Sequence, residues 1–372
     1  MRDWELNLDT YSNLILDYCV NIRKFNEVVI QASIEAFPLV REVWKGVVLR
    51  GGYPRFIVVE DILTEILYRY AMQELLEYVS PIDKFIMEKV DVMVSILSPT
   101  HSKPLVGIDP NRIKIRSKAL SGIRETFLRR DGMGELQWVI APYPTRAMAQ
   151  EAGMSIIEFE EFVYRAIKLH TENPIDAWIR QGKMQERVIN LLSKVDELRI
   201  INSDTDLTVK IGGRNWINDD GKNNMPGGEV FTAPHEDSIE GRIVFNYPAV
   251  YSGVEVEGIR LEFRRGEVVA ASALKGEEFL KKLIEVDVGA KRVGELAFGL
   301  NYDITKFTKE ILFDEKIGGT IHLALGSAYL KTGGVNKSSI HWDMIKDMRK
   351  GKVYADGDLI YENGRFIKDF IG

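Results

Sequence analysis

Five side chains in the C-terminal part of this chain have the chemistry of metal ligands. Glu229 follows two glycines in Met225-Pro-Gly-Gly-Glu229-Val-Phe, Glu295 stands in Gly294-Glu295-Leu-Ala, and His322 lies in Thr320-Ile-His322-Leu-Ala-Leu-Gly326. His341 and Asp343 stand two apart in Ser339-Ile-His341-Trp-Asp343-Met. The chain holds only 5 histidines, so two beside potential ligands is a notable concentration. Mixed imidazole and carboxylate donors suit zinc, cobalt or manganese, and such sets can hold two ions a few ångströms apart, as hydrolases do. On an extended segment residues i and i+2 project from one face, so His341 and Asp343 can reach one ion together. Each signal also has a plainer reading. His-x-Asp can be a surface hydrogen bond, and Glu295 a cap at a helix start or a carboxylate at a strand edge. Gly-Gly-Glu229 can be a turn, and His322 a satisfied core histidine.

The rest of the composition narrows the class. At 372 residues the chain has room for two cores. A net charge of -6 without a basic stripe argues against nucleic-acid binding. A single cysteine, Cys19 among apolar neighbours, excludes an internal disulfide and any cysteine zinc finger, and reads as a buried thiol. No signal-peptide core and no run of ~20 apolar residues is present, so the expectation is a cytoplasmic protein without a membrane partner.

The elements that must position these residues change character along the chain. Residues 11–20, 33–47, 62–79 and 112–130 have helical periodicity. Between them, 27–32, 55–59, 91–97 and 137–141 read as strands. That alternation predicts an α/β domain, a parallel sheet flanked by helices, over 1–190. From 191 to 372 short strands dominate (207–211, 241–245, 258–264, 267–271 and 320–325), separated by turns such as Asn218-Asp-Asp-Gly221. This part reads as a β-rich α+β domain, with the candidate ligands inside it.

In order along the chain, Asn224-Met-Pro-Gly-Gly-Glu229-Val-Phe-Thr-Ala-Pro234, Gly294-Glu295-Leu-Ala, Leu312-Phe-Asp-Glu315-Lys316, His322-Leu-Ala-Leu-Gly-Ser-Ala-Tyr329 and Ser339-Ile-His341-Trp-Asp343 resemble the thermophilic metallo-aminopeptidases of the aminopeptidase T and S type. The resemblance is carried by residues 224–348 and is weaker before them. It implies that Glu229, Glu295, His322, Tyr329, His341 and Asp343 surround two divalent ions, with Tyr329 also counted as catalytic; on its own, Tyr329 could merely pack. Glu315 is the candidate general base, or the anchor of the substrate's ammonium; its plain alternative is a solvated carboxylate paired with Lys316. The resemblance further implies a homodimer that removes single residues from peptide N-termini, through a water activated by zinc, cobalt or manganese.

Other motifs fail. Gly132-Met-Gly134 lacks the glycine spacing of a dinucleotide fingerprint, and His235-Glu236 lacks the second histidine of a zincin helix. His101 and His170 sit in polar contexts that suit surface residues. The rival reading is a metal-stabilised α/β binding protein without hydrolytic activity. A nucleotide-dependent enzyme is a further rival, against which the missing glycine fingerprints count.

Overall fold

The structure, a computed structural model, describes residues 7–368 and falls into two compact units. The first runs through Ile175 and takes in Lys222–Met225; the second comprises Asp176–Gly221 and the chain from Pro226 onward. The sequence reading set its boundary near residue 190, inside what is now the helix Pro174–Leu192. Core packing explains the difference. Val188 and Leu192 belong to the apolar core that contains Leu198, Leu207 and Phe298, so this helix goes with the strands that follow it.

In the first unit β1 (Glu27–Ala32), β2 (Tyr53–Val58), β3 (Val92–Leu97) and β4 (Gln137–Pro142) form a parallel sheet ordered β2-β1-β3-β4, as the alternation predicted. Val28, Ile30, Val92 and Val94 are fully buried, the near-continuous apolar pattern of a sheet covered on both faces. The helices Phe37–Leu49 and Ile156–Ala166 bury Leu39, Val43, Phe159 and Val163. Two expected helices are each broken in two. Residues 62–79 become Asp61–Tyr70 and Gln73–Glu77, parted by the extended backbone of Ala71 and Met72; 112–130 become Pro110–Ala119 and Ser121–Gly132. Cys19 is a buried thiol at the end of a π-helical turn, as its apolar neighbours predicted.

The second unit is strand-rich. An eight-stranded antiparallel sheet runs from Glu267–Ser272 at one edge to Arg365–Phe366 at the other. A five-stranded antiparallel sheet is ordered His341–Asp347, Thr320–Gly326, Val293–Gly299, Glu229–Thr232, Ile217–Asp219. One apolar core joins the two, with Ile200, Leu207 and Phe263 of the larger sheet meeting Leu296, Leu323 and Trp342 of the smaller. Among the described residues no helix is long and apolar enough to cross a membrane.

Candidate metal centre

The smaller sheet sorts its residues by face. Directly opposed residues of neighbouring strands share a face, and alternate residues of one strand share it too. The register pairs Asp219 with Glu229, Glu229 with Gly299, Ala297 with His322, Glu295 with Ala324, Ala324 with Asp343, and Gly326 with His341. Glu229, Glu295, His322, His341 and Asp343 therefore occupy one face, and Asp219 joins them. The residues between them on that face are small: Ala297, Gly299, Ala324 and Gly326. They leave room above the sheet. The opposite face presents Val230, Leu296, Phe298, Leu323 and Trp342 to the apolar core. Burial of that face fixes the register, and the register gathers the candidate ligands.

Glu295 needs a further device. The register slips between Val293 and Glu295, a β-bulge that lets Val293 join the core while Glu295, two residues on, points the other way. Gly294 sits at the slip, where an added Cβ would lie 2.4 Å from the Ser327 carbonyl oxygen. Glu295 is thus in a strand paired on both sides, neither a helix start nor a sheet edge. A glycine works similarly before Glu229. Gly228 has φ +120, and a Cβ there would meet the Asn301 Cβ at 2.4 Å. The two glycines do permit a close approach, though of backbone to backbone. Glu229 itself opens a strand.

The donor atoms converge. His322 Nε2 lies 3.1 Å from Glu295 Oε1 and 3.5 Å from Glu229 Oε2. His341 Nε2 lies 3.5 Å from Asp343 Oδ1 and 3.8 Å from Glu295 Oε2. His341 Nδ1 donates to the Ser327 carbonyl at 2.8 Å, which leaves Nε2 to face the carboxylates, the way a ligating histidine is oriented. Two groups have ligand atoms all within 4.8 Å of one another: Glu229, Glu315 and His322, and Glu295, His322 and Asp343. His322 belongs to both. Tyr329 is half-exposed and packs edge-on against the His341 ring at 5.3 Å.

Glu315 follows the short helix Ile311–Asp314 and pairs with Lys316, as its plain reading anticipated. That pair is not a solvated one. Lys316 is fully buried, and its ammonium also lies 3.4 Å from Asp219 Oδ2 and 3.5 Å from Glu229 Oε1. Lys316 and Asp219 are the residues that sequence reasoning missed. Asp219 was visible only as part of a polar turn, and Lys316 only as the neighbour of Glu315.

Electrostatics follow burial and proximity. Burial pushes the Glu229 and Glu295 carboxyls above the usual range. Burial works against charge on His322 too, but the Glu295 hydrogen bond and the Glu229 charge outweigh it and raise the imidazole to about 9. At His341 burial is likewise outweighed, chiefly by Asp343, and the ring rises to about 10. Burial opposes charge on Lys316 as well, yet Glu229, Glu315 and Asp219 hold it protonated. Glu229 Oε2 is buried without a hydrogen-bond partner, and so is His322 Nδ1. A buried oxygen acceptor with no donor, beside carboxylates balanced by protonated imidazoles, fits a site whose native counter-charge is a cation.

Comparison with known proteins points the same way. The chain is 29% identical to aminopeptidase AmpS of Bacillus subtilis, covering 98% of this chain and 100% of that protein. It is 28% identical to aminopeptidase 2 of Geobacillus stearothermophilus, with coverage of 97% and 100%. The solved structure of wild-type AmpT from Thermus thermophilus superposes with a TM-score of 0.83 at 26% identity, over 97% of this chain and 99% of that one. The profile of the thermophilic metalloprotease (M29) family matches residues 5–366. A buried face of carboxylates and histidines, set in a chain matched from end to end, leads to one assignment: the protein is a metallopeptidase of the thermophilic metalloprotease (M29) family.

Proposed function

We propose that this protein is an aminopeptidase that releases N-terminal residues from peptides with two divalent ions at the face described above. The observation that carries this reading is the pair of donor groups that overlap at His322. One ion would draw on Glu229 and His322, the other on Glu295, His341 and Asp343, with Tyr329 at the rim. Such ions supply Lewis acidity and a water acidic enough to attack a peptide carbonyl near neutral pH. Glu315 is the carboxylate that would take the attacking water's proton and hand it to the leaving amine. Buried Lys316 holds Glu315 in place and offsets the negative charge of Asp219 and Glu229. Excess carboxylate on this face also favours the α-ammonium of a peptide, which suits removal of terminal rather than internal residues. The named relatives, all aminopeptidases, support this choice.

We extend the proposal to zinc, cobalt or manganese as the metal, to a cytoplasmic setting and to a homodimer. Exposed Leu63, Tyr70, Met72 and Phe85 on the first unit are the kind of apolar surface that association covers. The deciding experiment is metal analysis with aminoacyl-anilide hydrolysis, for wild type and His341→Ala. Two ions per chain and a loss of at least about a hundredfold in kcat/KM in the variant are expected, the scale on which electrostatic groups act at a reacting carbonyl. Full activity in the variant, or in chelated protein holding no metal, would sink the reading. A metal-stabilised binding protein would hold its ion and release no amino acid.

A further inference from the structure

The helix Pro174–Leu192 turns one stripe of residues inward: Trp178, Gln181, Gln185, Val188 and Leu192, spaced alternately three and four apart. Trp178, Val188 and Leu192 are fully buried and apolar, as a core-facing stripe requires. Gln185, in the middle of it, is fully buried too, although it carries a polar amide into the interior. We propose that Gln185 is a positioning residue: it fixes the backbone from which the Glu229 carboxylate projects, and so sets the affinity of the ion that Glu229 and His322 would hold. The inference rests on the two-ion reading above and adds a residue to that same site.

The partners of the amide argue first. Gln185 Nε2 donates to the Glu229 carbonyl at 2.9 Å, to the Asp219 carbonyl at 3.0 Å and to Asn218 Oδ1 at 2.6 Å. Two of these acceptors are backbone carbonyls, so the nitrogen of the amide must stand there and not its oxygen. Gln185 Oε1 accepts from Gln181 Nε2 at 2.9 Å, and Gln181 Nε2 also donates to the Leu300 carbonyl at 3.1 Å. Every polar atom of Gln185 is thereby engaged, which is what makes its burial tolerable. The glutamine pair ties the helix to the ends of three strands of the smaller sheet, Ile217–Asp219, Glu229–Thr232 and Val293–Gly299.

Location argues next. Asp219 and Glu229 are opposed in the register, on the face that carries the candidate ligands. The strand bearing Asp219 is only 3 residues long and lies at the edge of its sheet. Gly228, directly before Glu229, has φ +120, so the chain enters the Glu229 strand outside regular strand geometry. Glu295 and His322, by contrast, lie within 7-residue strands paired on both sides. A binding constellation works only if its members are held within about 0.5 Å. The ladder does this for Glu295 and His322; at Glu229 the Gln185 amide adds the anchor that a short edge partner and an irregular entry do not give.

The test is calorimetric titration of zinc into the chelator-treated full-length protein. Gln185→Met keeps the length and fills the stripe but withdraws the donor from both carbonyls. It is expected to weaken one of the two zinc-binding steps about 10- to 100-fold, the scale for partners one bond removed from a metal ligand, and to leave the other step as in wild type. In a Glu229→Ala background the same change is expected to add no further loss, since the group it acts through is gone. Val188→Ala, which removes packing from the same stripe and no donor, is expected to lower the unfolding temperature while both zinc steps stay unchanged. If Gln185→Met does not fold, Gln181→Met carries the test, with the same single step weakened; Gln181 is only partly buried. Two steps weakened alike, neither step weakened, the same selective loss in Val188→Ala, or a further loss in the Glu229→Ala background overturns the positioning role alone. A wild type that takes up one zinc ion or none overturns the two-ion reading and the positioning role with it.

Discussion

At the scale of the residue, Lys316 carries the most information beyond the donors themselves. A fully buried ammonium is tolerated because three carboxylates, Asp219, Glu229 and Glu315, surround it. Lys316→Met removes the cation and leaves the carboxylates facing one another. Breaking a buried pair in this way costs about 3–5 kcal/mol. Urea unfolding of chelator-treated Lys316→Met is expected to show that loss, and added zinc is expected to recover part of it, because the incoming ions replace charge. An equal loss with and without zinc would show that Lys316 acts by packing alone. The sequence displayed Glu315-Lys316 openly but gave no sign of its burial, which depends on a strand far upstream carrying Asp219.

At the scale of the element, the loop before the His341 strand is tied down by Asp287. Its carboxylate accepts from the Ala290 N–H at 2.9 Å as the cap of a short 3-10 turn, and from the Ser339 N–H and hydroxyl at 2.7 Å. Burial acts against the charge, but those hydrogen bonds prevail and hold Asp287 down to about 2. A depressed carboxylate stabilises the fold fully above its unfolded value near ~4 and loses that contribution as pH falls through its folded value. Asp287→Ala is therefore expected to cost about 0.5–2 kcal/mol at pH 7, the range for a lost cap. The gap from wild type should close as pH drops from about 4 towards about 2, followed by chemical denaturation across that span. A gap constant with pH would show that the aspartate's shape matters and its charge does not. Elements were legible where the apolar pattern kept its period, as in β1 and Thr320–Gly326, and His341-x-Asp343 does lie on a strand. Val293–Gly299 escaped notice because the bulge at Gly294 breaks the alternation that strand reading depends on.

At the scale of the whole molecule, metal and stability are linked. Ions that bind the assembled face and not the unfolded chain add RT ln(1 + [L]/Kd), about 2.7 kcal/mol at a free concentration a hundred times Kd. For a domain of ~150–250 residues a change of that size moves Tm by roughly 5–11 °C, at about 2–4 °C per kcal/mol. Calorimetry with and without chelator is expected to show a drop on that scale, reversed by re-adding zinc, cobalt or manganese. An unchanged Tm would mean that the donor set is satisfied without a cation.

Sequence by itself determined the class of each part and the order of the candidate ligands. Period and composition set the parallel sheet and the strand-rich region, while short motifs marked Glu229, Glu295, His322, His341 and Asp343. Only the tertiary structure decided that these residues share a face, that Glu295 reaches it through a bulge, and that the Lys316–Asp219 pair is buried beside them. The physical reason is that register and burial are pairwise properties of distant strands. An apolar core selects them by covering one face of the sheet, and the chemistry is gathered on the other.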